Sequence, residues 1–430
     1  MRYLAAVVML GLAAASLLLP TPEASGYGSE PGTVVPPVSI CPIVEAAERS
    51  TEIAVLSSIN GPGRISTFSA GSETGSLDFR TGGSGSVVVS AGEAGGIGVS
   101  GALIEMPSET TASGVLTSGP ESRAAEACAD IPAGEAFLSG GSTASGAGFV
   151  VELLNPYAGE AVLDLTVTSD AGIESDDRFD SVIVPPLSTL TVSLSDIIPG
   201  REDISVYIET LRGSALAVGR QDLDGESSVW RAVAPGQDWW LPVPEGGGSR
   251  QLLISTPSNA PIDYQVDVYG LGGEVESYQE SYDSGSLEAR SLTRIDLTAI
   301  TPDAIGVRVI GTGPLVATLW MEDDGRVATT TASPVDAPVW LLPGASAPPG
   351  GSGSLVVLNS GVDDVTVNVR SLQETSLTRN FDLQAERVLT VPLVAADGYR
   401  VESTGPVVVL WTSEIGGTGT VAGGIPIQDG

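Results

Sequence analysis

Apolar and polar residues alternate in short runs along most of the chain after residue 40. Clear examples are residues 161–168, 264–269 and 365–370. Because successive side chains of a strand point to opposite faces, this period of two predicts β-strands with one buried face and one wet face. No stretch after residue 20 carries the apolar stripe of an amphipathic helix, and 54 Gly and 29 Pro supply turns between short strands. The pattern therefore predicts an all-β protein.

Three landmarks recur at intervals of roughly 100 residues, which indicates an internal repeat. They are a Trp-Leu-Pro junction (residues 239–242 and 340–343), an apolar strand with an Asn-Pro-type turn (150–156, 252–257 and 355–360) and a late strand that begins with Gly (213–218, 313–318 and 405–410). Cys41-Pro42 and the segment 128–132 resemble the junctions. Four units are therefore expected: a degenerate one at 41–127, and repeats at 128–238, 239–338 and 339–430.

About seven or eight strands fit into each unit, which is the signature of an immunoglobulin-like antiparallel β-sandwich. Tandem sandwiches are therefore the fold that the sequence favours. The alternative is a β-propeller built from the same repeats, in which each unit would supply two four-stranded blades.

The N-terminus has the pattern of an export signal. Arg2 precedes an uncharged run at residues 4–19, which as a helix would span roughly 24 Å, less than the roughly 30 Å hydrocarbon core of a membrane. Residues 1–25 are therefore predicted to be a signal peptide, with a retained N-terminal anchor as the alternative. Residues 26–40 have the composition of a flexible linker.

Charge and composition exclude several classes of function. The formal net charge is −34, so binding to nucleic acid is not expected, and membrane contact is expected only through the N-terminal segment if it stays uncleaved. All 19 basic residues are Arg and the chain has no His, which excludes Ser-His-Asp, Cys-His and Schiff-base catalysis. Only a carboxylate pair could act as a catalyst, and no motif marks one, so we expect no enzyme activity.

The chain has two cysteines, Cys41 and Cys128. In an oxidising compartment they would most simply form one disulfide, which would connect the first strand of the degenerate unit to the exit from its last strand. Two Cys without His make a poor zinc site, because such sites usually need four N or S ligands.

Acidic turns and tryptophans are the remaining candidates for a binding site. Calcium is the one ion that the turns favour, and the candidate ligands are Asp222, Asp224, Asp323 and Asp324; an ordinary Asp-Gly β-turn explains the same residues. Otherwise no cofactor is expected. Trp230 and Trp239 have no evident counterpart in the other units, which makes them the candidates for stacking on a carbohydrate.

In their repeated order, the landmarks resemble a family of secreted actinobacterial proteins, domain of unknown function 5719. The resemblance extends over roughly residues 40 to 428, although Thr256-Pro257 replaces the Asn-Pro pair in one unit. It implies a location outside the cytoplasm or in the cell envelope, and it supplies no catalytic residues. Two functions are expected from these observations: a non-enzymatic structural or interaction scaffold of repeated β-units in the envelope, or, as the alternative, a module that binds envelope polysaccharide. The partner would be an envelope protein in the first case and a polysaccharide in the second.

Overall fold

Alternating strands and tight turns build four antiparallel β-sandwiches, called first to fourth in chain order. The computed structural model describes residues 37–43, 50–82, 85–96, 98–108, 110–119, 123–129, 134–246, 248–270, 278–300, 303–323, 326–373, 378–415 and 418–427. The predicted signal or anchor at 1–25, most of the predicted linker at 26–40, and Asp324 lie outside these residues. No helix in the described part of the chain is long and apolar enough to cross a membrane.

The first sandwich faces a sheet of order β1-β6-β3-β4 with a sheet of order β5-β2-β7-β8. Its elements are β1 (Val38–Pro42), β2 (Ser50–Ser57), β3 (Gly61–Ser69), β4 (Ser72–Thr81), β5 (Ser86–Ser90), helix α1 (Ala91–Gly95), β6 (Gly101–Glu105), β7 (Thr111–Ser118) and β8 (Arg123–Ala127). Alternate residues of both sheets meet in one buried core, to which Ile53 of β2 and Ile65 of β3 contribute. The predicted period of two therefore gives each sheet one apolar face, and the two apolar faces pack against each other.

The second sandwich repeats this arrangement. Its elements are β9 (Glu135–Gly141), β10 (Ala147–Asn155), β11 (Ala161–Ser169), β12 (Gly172–Glu174), a 3-10 helix (Asp177–Phe179), β13 (Val182–Val184), β14 (Ser188–Ser193), helix α2 (Leu194–Ile197), β15 (Ile204–Arg212), β16 (Leu216–Leu223) and β17 (Glu226–Arg231). The sheet orders are β12-β11-β15-β9, with β13 also paired to β11, and β14-β10-β16-β17. Each strand of the first sandwich therefore has a counterpart in the second, which adds the short strand β13 beside β11, although the sequence of the first is degenerate.

The third and fourth sandwiches use the same order with one change. Their strands are β18 (Gly236–Val243), β19 (Ser249–Ser255), β20 (Ile262–Tyr269), β21 (Tyr278–Leu287), β22 (Leu292–Asp296), β23 (Ile305–Asp323), β24 (Arg326–Thr331), β25 (Ala337–Pro343), β26 (Ser352–Asn359), β27 (Val365–Ser371), β28 (Thr378–Leu383), β29 (Val388–Pro392), β30 (Gly398–Ile415), β31 (Thr418–Gly423) and β32 (Ile425–Pro426). In each of these sandwiches the sequence predicts two separate strands. The structure instead has one long strand, β23 or β30, that continues from one sheet into the other. In the second sandwich Gly213 separates these strands, because it adopts a left-handed φ of 72°.

The prediction of an all-β chain of antiparallel sandwiches is confirmed. A propeller blade is a small sheet repeated around a channel, and the alternative fold required two such blades in each unit. In the described residues each pair of sheets instead shares a core, and non-consecutive strands are neighbours, as in β5-β2-β7-β8. Greek-key connections of this kind are typical of sandwiches.

Candidate functional site: the inner strands of the sandwich ring

One strand near the end of each sandwich lies against the corresponding strands of two others. We call β8, β17, β24 and β31 the inner strands: β8 contacts β17, β17 contacts β24, β24 contacts β31, and β31 contacts β8. The four sandwiches therefore close into a ring. An unpaired strand edge invites pairing with other chains, and in this ring the inner edges shield one another.

One large apolar residue in each first strand connects neighbouring sandwiches. These residues are Ile40, Phe137, Trp240 and Leu341, and we call them the key residues. Three of them pair with the segment that leaves the last strand of their own sandwich, as in the bond from the Phe137 amide to the Val233 carbonyl (2.8 Å), and Leu341 pairs with β32.

The side chain of each key residue packs on the next sandwich. Ile40 lies in one buried cluster with Leu154 and Leu216 of the second sandwich. Phe137 joins the core cluster of the third sandwich, and Trp240 that of the fourth. Leu341 completes the cycle, because it lies in one cluster with Leu56 and Ala112 of the first sandwich. Burial of such side chains is the main attraction that holds the ring closed.

Hydroxyl groups bridge two of the four junctions between inner strands. The amide of Thr329 donates to the Ser228 hydroxyl (2.7 Å), and the amide of Ala125 donates to the Thr420 hydroxyl (2.9 Å). All four groups are buried, so each bond satisfies an amide of an otherwise unpaired strand edge.

A cavity of about 160 Å³ lies where the inner strands end. All four sandwiches contribute to its wall, through residues such as Glu126, Arg231, Trp240 and Trp340. The guanidinium of Arg308 also lies over the Trp240 ring, with Cζ 4.5 Å from the ring centroid. The cavity is a consequence of the ring, because no single sandwich could form it.

Among the described residues that line this cavity, Glu126 is the one acidic residue. Its carboxylate accepts hydrogen bonds from the amides of Ala127 (2.8 Å) and of Arg231 (3.1 Å), so it connects the first sandwich to the second. Burial raises the pKa of Glu126 to about 7, although Arg231 and the two amides lower it. Both carboxylate oxygens are engaged by backbone, which suits a structural link better than a catalytic base.

The two cysteines form the predicted disulfide. Cys41 of β1 and Cys128, next to the end of β8, are 4.5 Å apart at their Cα atoms. They flank the backbone pairing of Ile40 with Ala129, whose two hydrogen bonds measure 2.6 and 3.0 Å. The disulfide thus reinforces the pairing between the first strand and the segment that follows the inner strand. In the other sandwiches this pairing depends on hydrogen bonds alone.

The interpretation of Trp230 and Trp239 as surface platforms for a carbohydrate is wrong. Both side chains are 0% exposed, and their indole N–H groups donate to the carbonyls of Ser139 (2.9 Å) and Leu315 (2.8 Å). Trp230 is also stacked on Phe149 inside the second sandwich, with ring centroids 5.6 Å apart. A buried indole with a satisfied N–H is core packing.

Strand register explains the error for Trp239. Trp239 lies three residues after Gly236, which pairs with Leu315, and Trp340 lies three residues after Ala337, which pairs with Val407. The counterpart of Trp340 is therefore Trp239, and Trp240, which stands directly before the Leu-Pro pair, points to the opposite face. A shift of one residue exchanges the two faces of a strand.

Three of the calcium candidates lie near hairpins between the last two strands of their sandwiches: Asp222 within β16, Asp224 in the turn that follows, and Asp323 at the end of β23. Asp224 and Gly225 connect β16 to β17 with φ of 49° and 92°, as a two-residue hairpin turn requires. Asp222 forms an ion pair with Arg220 (3.3 Å) and accepts from Ser227. Asp323 is exposed at the end of β23. No group of three or more His, Cys, Asp or Glu within the described residues is placed to hold a metal ion.

Sequence reasoning missed Glu126 and the key residues. Glu126 stands among alanines in β8, and a lone acidic residue in an apolar strand is the signal that could have drawn attention to it. The key residues carried no such signal, because an apolar residue in a junction resembles any core residue.

Comparison with known protein families matches residues 105–394 to a family of unknown function (DUF5719). The matched segment extends from the end of β6 to just beyond β29, so it includes parts or all of each sandwich. No curated protein matches the chain.

Proposed function

We propose, from the premise that the chain belongs to the DUF5719 family of unknown function, that it is a non-enzymatic interaction scaffold of the cell envelope. The observation that carries this proposal is the closed ring. Adjacent domains move relative to each other unless their interface is large and apolar, and here every sandwich is held by a key residue and an inner strand. The ring therefore presents loops and sheet faces at fixed relative positions.

Two further observations support a location outside the cytoplasm. The Cys41–Cys128 disulfide is compatible with an oxidising compartment, since disulfides are rare where thiols are kept reduced. Residues 1–25 have the pattern of an export signal. The lack of His and Lys, together with the engaged carboxylate of Glu126, favours binding over catalysis.

Crosslinking in cells that produce the protein would test the scaffold function. A tagged full chain is crosslinked in place, and its partners are identified after envelope fractionation. We expect a defined set of envelope proteins for the natural chain, and loss of that set for Leu341→Asp, which places a charge at the contact between the fourth and first sandwiches.

Leu211→Asp is the matched control, because Leu211 is 49% exposed and its substitution leaves the ring intact. Recovery of the protein only in the cytoplasm, or the same crosslinks after Leu341→Asp as before, would refute the proposal.

Binding of an envelope polysaccharide is the second candidate function. A cavity between the third and fourth sandwiches favours it, because charged and hydroxyl-bearing side chains line part of its wall and sugar ligands need clustered hydrogen-bonding groups. Retention of the purified protein on insoluble cell-wall material, with release by soluble glycan, is the expected result. Retention that soluble glycan does not reverse would count against it.

A further inference from the structure

Arg250 is buried in the interior of the third sandwich. Its side chain is 1% exposed and lies on the face of β19 that also carries the core residues Leu252 and Ile254. It lies six residues before Thr256, as Phe149 lies six residues before Asn155 in the second sandwich. A guanidinium thus takes the position of an aromatic core residue, and a buried charge is unfavourable unless a partner compensates for it.

Only one side of this guanidinium has a partner within the described part of the chain. Nη1 donates to the carbonyls of Pro244 (3.2 Å) and Asp303 (2.9 Å). Nε and Nη2 are buried and have no hydrogen-bond partner among the described residues. These two groups form the side of arginine that binds a carboxylate through two parallel hydrogen bonds.

A cavity of about 220 Å³ lies beside Arg250, between the third and fourth sandwiches. On one wall, Met321 of β23 is the cross-strand neighbour of Arg250, and Ala328 of β24 is in turn the cross-strand neighbour of Met321. Ser354 and Thr412 lie on the other wall, where their hydroxyls are 2.8 Å apart. The cavity therefore has a cation at its buried side and hydroxyl groups opposite.

Acidic side chains surround the entrance to the cavity. The exposed residues that line it there are Glu245, Glu322, Asp323 and Glu414. Arg326 is half-buried and also lines the cavity, but the four carboxylates outnumber it. The carboxylates would therefore repel the second negative charge of a phosphate or sulfate more than a ligand with a single charge. The volume is smaller than the roughly 300–1,000 Å³ of pockets for drug-sized ligands, which suits a single sugar ring.

We propose that this cavity binds a hydroxylated monocarboxylate of the sugar-acid class. The carboxylate takes the Nε–Nη2 side of Arg250, and the ring hydroxyls meet Ser354 and Thr412. The proposal rests on the second candidate function, polysaccharide binding, and is independent of the scaffold function.

Binding of small ligands to the full exported protein tests it. Ligand-observed NMR and thermal melting are recorded with glucuronate, glucose, acetate and sulfate at constant ionic strength. We expect saturation transfer and a raised Tm with glucuronate, a weaker response with acetate, and none with glucose or sulfate. An equal response to glucose, or sulfate binding as tight as glucuronate binding, overturns the proposal, as does absence of glucuronate binding at millimolar concentration.

Arg250→Gln should weaken glucuronate binding at least about tenfold, because the charge-assisted pair is lost. Ser354→Ala should weaken it severalfold and gives a second test if Arg250→Gln fails to fold. Arg212→Gln, a change of an arginine that is paired on the surface of the second sandwich, is the matched control and should bind like the natural chain. Unchanged binding in both cavity variants overturns the assignment. This experiment uses the purified protein and small ligands without an envelope partner. Its outcome is therefore independent of the crosslinking experiment that tests the scaffold function.

Discussion

Asn155 and Asn359 occupy the same position in the second and fourth sandwiches and make the same hydrogen bonds. The side-chain Nδ2 of Asn155 is within 2.7–3.1 Å of the carbonyls of Gly159, Val184 and Pro185. Nδ2 of Asn359 makes the corresponding three contacts, and each Oδ1 accepts the amide two residues later at 3.0 Å. Both residues are fully buried. The sequence marks each of them only as part of a turn, yet each side chain also holds two neighbouring loops in place.

Asn155→Ala should lower the free energy of unfolding by about 3 kcal/mol, because it leaves buried carbonyls without a donor. Urea denaturation measures the change. Asn155→Asp should be at least as destabilising at neutral pH, since its carboxylate would face three carbonyl oxygens. A loss below 0.5 kcal/mol (about the usual limit for surface substitutions) would show that water replaces the side chain.

Removal of the Thr420 hydroxyl should weaken closure of the ring. Thr420→Ala leaves the buried amide of Ala125 without its acceptor, and we expect a loss of about 1–3 kcal/mol in the free energy of unfolding. Thr420→Ser keeps the hydroxyl and should restore most of the stability. If Thr420→Ala and Thr420→Ser are equally stable in denaturant, the hydrogen bond contributes nothing to closure.

Loss of the disulfide should destabilise the first sandwich. The bond joins residues 87 apart in sequence, for which the chain-entropy model gives about 4.5 kcal/mol. We expect a somewhat smaller measured loss for Cys41→Ser with Cys128→Ser, because the backbone bonds between Ile40 and Ala129 remain. Reductant should lower the denaturation midpoint of the natural chain and leave that of the double variant unchanged. Equal sensitivity of both proteins would contradict the prediction.

Ionisation of Glu126 should make the ring less stable as the pH rises. The pKa of this carboxyl is raised from 4.5 to about 7 in the folded chain, so the folded state holds the proton more tightly than the unfolded state. Its stabilising contribution is complete below pH 4.5 and is lost as the pH rises towards 7, by on the order of 3 kcal/mol.

Comparison with Glu126→Gln isolates this effect from the other carboxylates. The variant cannot ionise at this position, so the stability difference between it and the natural chain should change across pH 4.5 to 7. Denaturant midpoints at several pH values within that window provide the measurement. A constant difference would mean that Glu126 keeps its ordinary pKa.

Features that depend on neighbouring residues in the chain could be predicted from sequence. Alternation indicated the strands, and Asp224-Gly225 indicated its hairpin turn. These predictions succeed because the period of a strand and the φ of a turn are set within a few residues.

The tertiary structure alone decided how the sandwiches meet. Leu341 packs on the first sandwich, Trp239 is core, and Arg250 is buried where a sister unit has Phe149, yet none of these differs locally from an ordinary strand residue. Alternation marks which side chains share a face, but it does not say which distant sheet covers that face, and a register error of one residue exchanges inside and outside. Closure of the ring depends on packing between residues hundreds of positions apart, which no local pattern records.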